Sequence, residues 1–214
     1  MSRKLRGFTL VELAIVLVII SLLMGGILKG QELINSAKAK GMANEFRGVA
    51  AAYYGYQDRF RAVPGDDGAA DSHVKGTLAT NGTRNGRIEG NWYSDSVADE
   101  SYLFWQHVRL ANLLTGNSDT GTAAYLPVNA DGGRLGISSA SPISDKAYSG
   151  NFFVCAANLS ARLARQIDIL LDDGVGTSGS VRLLQMQNGS LATTGASSDP
   201  ADGDGGSYIV CAAN

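Results

Sequence analysis

From Phe8 to Leu28 the chain reads FTLVELAIVLVIISLLMGGIL, an apolar run interrupted by one ionisable side chain, Glu12. Wound as a helix at 1.5 Å per residue, the run reaches about 31 Å, roughly the thickness of bilayer hydrocarbon. It predicts a membrane-spanning helix over residues 8–28. The pattern then changes. From Met42 the larger apolar groups recur as Met42, Phe46, Val49, Tyr53, Tyr56 and Phe60, in alternating steps of four and three that keep one helix stripe in line. Lys38, Lys40, Glu45, Arg47 and Asp58 fall on the opposite face, and Pro64 with Gly65 stops the element. Residues 29–62 are therefore predicted as an amphipathic continuation of the same helix. From Phe8 to about Asp58 it measures about 75 Å, more than a bilayer accommodates, so its second half must join a globular head. Gly25 and Gly26 are poor helix formers and predict either a bend or a small-residue packing surface.

Residues 63–214 alternate turn-rich stretches with short periodic ones. GDDGAADS and NGTRNGRIEG read as loop, and Asp99 to Leu114 as an amphipathic helix carrying Tyr102, Trp105, Val108, Leu110, Leu113 and Leu114. TAAYLPV, RLGIS, NFFVCAA (Asn151 to Ala157), Val181 to Met186 and SYIVCA (Ser207 to Ala212) are strand candidates, with a helix over Leu159 to Leu171 between the third and fourth. An antiparallel sheet packed on one side against a helix buries these faces economically, so the fold class is α+β.

Arg3, Lys4 and Arg6 precede the apolar run and Lys29 closes it, which orients the N-terminal flank to the cytoplasm and the rest for translocation. A secretory signal would have a shorter apolar core followed by a small-residue cleavage site, and neither is present. Instead Gly7 precedes Phe8, followed by Thr9, Leu10, Val11 and Glu12. This RGFTLVE motif with its apolar run resembles the prepilin class, the type IV pilins and the pseudopilins of type II secretion. The resemblance is specific over residues 1 to about 60 and architectural beyond.

That resemblance implies a pilin-like fold, with a long N-terminal membrane-spanning helix packed against an antiparallel sheet. It implies a leader over residues 1–7, cut between Gly7 and Phe8 by a prepilin peptidase that methylates the new amine, and a retained hydrophobic helix. The product is a structural subunit of a type IV pilus-like filament, polymerised from a bacterial inner membrane on an assembly platform with copies of itself and other pilins. The filament is extracellular or spans the periplasm. A pseudopilin of a type II secretion system and a minor adhesive or DNA-binding pilin are the alternatives. In the family picture, the amine of Phe8 on one subunit meets the Glu12 carboxylate of a neighbour. An acidic group in an apolar span calls for such a partner unless it lies near the interface, as it would in an ordinary single-pass anchor.

Charge and cysteine content narrow the remainder. Lys+Arg 18 against Asp+Glu 20 gives a net charge of -2, and removal of the basic leader leaves a more acidic chain, which does not suggest a broad nucleic-acid surface. Local basic patches remain open, and a DNA-binding one would require Lys and Arg to converge in space, as Arg84 and Arg87 could. Cys155 and Cys211 are the only cysteines, and in an oxidising compartment a disulfide between them is the natural reading, two buried free thiols the other. Many pilins tie the C-terminal region to the sheet in this way.

Asp199, Asp202 and Asp204 lie in SSDPADGDGG before the last strand. Major pseudopilins bind calcium in a C-terminal loop, so these residues are candidate calcium ligands, although the EF-hand pattern is absent and a solvated acidic loop is the alternative. The segment ARQIDILLDDGVGTSGSVR resembles one that recurs in prepilin-type proteins. Its adjacent Asp172 and Asp173 read as helix-end carboxylates at a turn, since nothing supplies the spaced partner of a hydrolytic pair. His73 and His107 form no ligand pair, and HExxH, Walker and GxSxG patterns do not occur. No catalytic residue, enzyme activity or catalytic cofactor is expected.

Overall fold

The computed structural model describes residues 9–191, 197–201 and 203–214. The chain divides into two units, Met1–Ala37 and Lys38–Asn214. Helix α1 (Leu10–Phe60) begins in the first and ends in the second. In the first unit its apolar side chains have no cover: Leu10 is 88% exposed, and Ile20, Leu28 and Ile34 are exposed too. A helix is the form that lets such a run enter lipid, because it satisfies its own backbone donors and acceptors. Gly25 and Gly26 lie inside α1, which continues through them.

In the second unit α1 buries Ala39, Met42, Ala43, Phe46, Val49, Ala52, Tyr53 and Tyr56, the stripe expected from the sequence except at its end, where Phe60 is half-buried. The helix stops where Arg61 takes a φ of 55° and its N–H bonds the Gln57 carbonyl at 2.9 Å, a left-handed helix end just ahead of Pro64. Lys38 on the polar side is paired with Asp131 at 2.6 Å. Two shorter helices follow, α2 (Ala70–His73) and α3 (Glu100–Leu110), and α3 is buried from Glu100 to Arg109.

Four strands, β1 (Leu135–Ser138), β2 (Phe153–Ser160), β3 (Val181–Gln185) and β4 (Ser207–Ala213), form one antiparallel sheet in the order β1-β2-β4-β3, with helix α4 (Ala161–Leu171) joining β2 to β3. Alternate residues face opposite sides. Val154 and Ala156 of β2 and Val210 and Ala212 of β4 join the core that contains Phe46, Val49 and Tyr53 of α1. Tyr53 stacks on Phe152 with ring centroids 4.1 Å apart. Phe153, Cys155, Ile209 and Cys211 point the other way, into a second cluster closed by Trp92, Ile143 and Tyr148 from loops. A long N-terminal apolar helix on a four-stranded antiparallel sheet is a pilin-like α+β arrangement.

One strand candidate is corrected. TAAYLPV forms turns, and only Val128 bridges, to Arg134. Its central aromatic is committed elsewhere: the Tyr125 hydroxyl donates to the Tyr102 carbonyl at 2.7 Å and accepts from the Gln106 N–H at 3.0 Å, while the Tyr125 carbonyl accepts from Arg109 at 2.5 Å. Pro127 also lacks the donor a ladder needs. The strand β2 extends past Ala157 to Ser160, with a register shift between Ala156 and Leu159.

Cys155 and Cys211 are directly opposed on β2 and β4 and joined as a disulfide, with Cα atoms 4.1 Å apart. Closing this loop contributes on the order of 2–4 kcal/mol. Alkylation of the denatured, exported protein is expected to find no free thiol, and Cys155→Ala/Cys211→Ala is expected to lower stability by about that amount in denaturant unfolding. Labelling of both thiols in the unmodified protein would contradict this.

Candidate functional site

At the described beginning of the chain, Thr9 and Glu12 close a reciprocal pair at the start of α1. The Glu12 carboxylate accepts from the Thr9 N–H at 2.9 Å and from its hydroxyl at 2.9 Å, and the Thr9 hydroxyl accepts from the Glu12 N–H at 3.2 Å. This is a capping box, which satisfies donors that the first helical turn leaves open. The pattern Thr9-Leu10-Val11-Glu12 ahead of an apolar run carries that signal in the sequence, beside the intersubunit and interfacial readings of Glu12. Gly7 and Phe8, the expected processing pair, lie outside the described residues.

Of the three acidic residues proposed for calcium, Asp202 lies outside the described residues and Asp199 is exposed. Asp204 is engaged locally: it accepts from the Tyr208 hydroxyl and from the Gly206 N–H at 2.8 Å, which hold its carboxyl below the usual range. Among the described residues, the carboxylate group that the structure assembles is Asp168, Asp172 and Asp173. Asp168 was missed in the sequence because it sits among the apolar positions of α4 beside Ile167. Burial foremost, then the charges of Asp173 and Asp172, push its carboxyl up to about 6, against an opposing Gly174 N–H.

The histidines serve the packing. His107 is fully buried; its Nδ1 accepts from the Gly65 N–H at 2.9 Å, so Nε2 carries the proton and faces the Thr77 carbonyl at 2.8 Å. Burial lowers its pKa below the ordinary imidazole value. His73 lies 2.7 Å from Asp67, which also accepts from the Tyr56 hydroxyl at 2.7 Å. Burial alone would raise the Asp67 pKa, but these bonds outweigh it and the net shift is downward. Arg87 donates to the Ser139 carbonyl at 2.8 Å, which commits one of the two arginines considered for DNA.

One acidic contact bears on stability. Glu100, 1% exposed at the start of α3, accepts from the Glu89 N–H at 2.7 Å and faces Asp66 and Glu89. Burial, with those neighbouring charges, raises its pKa to about 7. The Asp66 Oδ1 is buried and has no hydrogen-bond partner among the described residues.

Residues 2–28 match the family described as the prokaryotic N-terminal methylation motif. No curated protein and no solved structure matches the chain. The motif and the fold together support its assignment to the type IV pilin and pseudopilin family, and with the apolar N-terminal helix they support an inner-membrane precursor.

Because the Glu100 pKa is raised from an ordinary 4.5 to about 7, the folded chain holds a proton that the unfolded chain releases. The associated stability is present below the ordinary carboxyl range and is lost as pH rises through about 7. Glu100→Gln is expected to flatten the decline of the melting temperature between those values and to stabilise the head at pH 8 by on the order of 2 kcal/mol. An unchanged pH profile in the variant would refute the assignment.

Proposed function

We propose that this chain is a structural subunit of a type IV pilus-like filament, made as an inner-membrane precursor, processed between Gly7 and Phe8, and polymerised with copies of itself and other pilins on an assembly platform. The observation that supports this most directly is the methylation motif running into α1, whose side chains from Leu10 to Ile34 are exposed in the isolated subunit. Such a face needs lipid before assembly and other helices after it. Packing of helices around a common axis supplies the second environment, with the heads outside.

A pseudopilin of a type II secretion system shares the motif and the helix. Recovery of the chain in filaments sheared from cells favours the pilus, whereas retention in a secretin-dependent complex favours the secretion machine. Calcium binding in the 197–206 loop, at Asp199, Asp202 and Asp204, belongs to the pseudopilin reading.

In this proposal the mature protein begins at Phe8 with a methylated amine. Intact mass of membrane-extracted material tests it, and retention of MSRKLRG in cells with an active prepilin peptidase would exclude it. Glu12 is proposed to accept the Phe8 amine of a neighbouring subunit in addition to capping its own helix. Glu12→Ala is then expected to cut sheared-filament recovery at least about tenfold at matched expression while leaving head melting unchanged, since loss of one paired charge in low dielectric exceeds 1.4 kcal/mol. Thr9→Ala removes the cap hydroxyl and keeps the carboxylate, so it is expected to retain most of the filaments. Equal losses in the two variants would reduce Glu12 to a helix cap.

A further inference from the structure

Helix α4 ends on three carboxylates. Asp168 and Asp172 are four residues apart, which places them on one helix face, and the turn at Asp173 returns a third. One oxygen of each lies within 4.8 Å of the others. Two of the three are fixed by the loop that follows: Asp172 Oδ2 accepts from the Ser180 N–H at 2.5 Å and the Val181 N–H at 3.0 Å, and Asp173 accepts from the Val175 N–H at 2.9 Å and the Ser178 hydroxyl at 2.6 Å.

Asp168 differs. It is 0% exposed, and neither of its carboxylate oxygens has a partner at hydrogen-bond geometry among the described residues; the Gly174 N–H acts on it without meeting that geometry. Burying a carboxyl group without partners is costly, and placing it beside two further carboxylates adds repulsion. Arg182 is the cation that acts electrostatically on Asp173, but its guanidinium lies over the Tyr148 ring, 5.4 Å from the centroid. Among the described residues, no cation forms a salt bridge with any of the three carboxylates.

We propose that Asp168, Asp172 and Asp173 bind a hard divalent cation of the Ca2+ and Mg2+ class. The donors are carboxylate oxygens, with no imidazole or thiolate to favour zinc or copper. Asp168 supplies the buried ligand, while the half-buried Asp172 and the exposed Asp173 leave the outer side open for water. Through the Asp172 bonds to Ser180 and Val181, the ion ties the end of α4 to the first residue of β3, an outer strand of the sheet. Its role is to fix that strand after export.

The test uses the full chain in detergent, stripped of metal with a chelator and titrated calorimetrically with CaCl2 and separately with MgCl2, with thermal melting in parallel. At least one ion is expected to bind once per chain and, at about a hundredfold excess over its Kd, to raise the Tm by roughly 5 °C. Asp168→Asn is expected to abolish both effects, Asp173→Asn to weaken binding about tenfold or more, and Asp204→Asn to leave it unchanged. Asp173 is exposed, so that variant decides the matter even where Asp168→Asn fails to fold. The absence of saturable binding of both ions to the unmodified chain would overturn the site. So would unaltered affinity in Asp173→Asn, which would place the ion elsewhere.

Discussion

Burial of one stripe of α1, from Ala39 to Tyr56, is the contact on which the rest of the head depends. A four-stranded sheet has two faces to cover, and α1 supplies apolar surface for one of them. Phe46, Val49 and Tyr53 meet Val154 and Ala156 of β2 and Val210 and Ala212 of β4 in one core, and α4 and α3 extend it. Because the helix is continuous with an apolar run that takes its cover from outside the subunit, its sequence must satisfy two environments in succession. An all-round apolar surface serves up to Leu28, and a single stripe serves from Ala39. The change of pattern is the physical signature of the change of surroundings.

The opposite face of the sheet explains the strand composition. Phe153, Cys155, Ala157, Leu184, Ile209 and Cys211 would be exposed on a two-layer fold, yet Trp92, Ile143 and Tyr148 close over them. Strands buried on both sides read as nearly continuous apolar runs, as NFFVCAA and SYIVCA do. The disulfide lies within this second layer and joins the two central strands. It thus reinforces the part of the sheet that α1 does not touch.

The elements with strong local pattern were legible from sequence: α1 through its stripe, α3 and α4 through helical spacing, and β2, β3 and β4 through their apolar runs. What stayed hidden depends on distant partners. Nothing around Trp92 or Tyr148 distinguishes an aromatic that roofs a sheet from one exposed on a loop. TAAYLPV has strand composition, but Tyr125 serves α3 by hydrogen bonds whose other members lie about twenty residues away. At the candidate sites, Glu12 stood out as a charge in an apolar run, while its local partner Thr9 required the capping pattern to be recognised. Asp168 was masked because a lone acid on a mostly apolar helix face signals nothing until its burial is known.

The two partners considered for Glu12 are compatible, and their compatibility bears on how a charged residue survives in this helix. A bare carboxylate in hydrocarbon is costly, so a subunit awaiting assembly benefits from a local answer. Thr9 provides one, two donors on Glu12 Oε2, at the helix N-terminus where the backbone dipole also favours negative charge. A carboxylate has roughly four acceptor positions, so the cap leaves capacity for an incoming ammonium group. In the proposed filament, that amine would therefore add a charge partner to an acceptor already held in a defined orientation. The desolvation cost of the acid would be partly met before assembly begins, and less of the attraction would be consumed in ordering Glu12. On this view Thr9 has a positioning role and Glu12 the recognition role, which separates two effects that fall on one side chain.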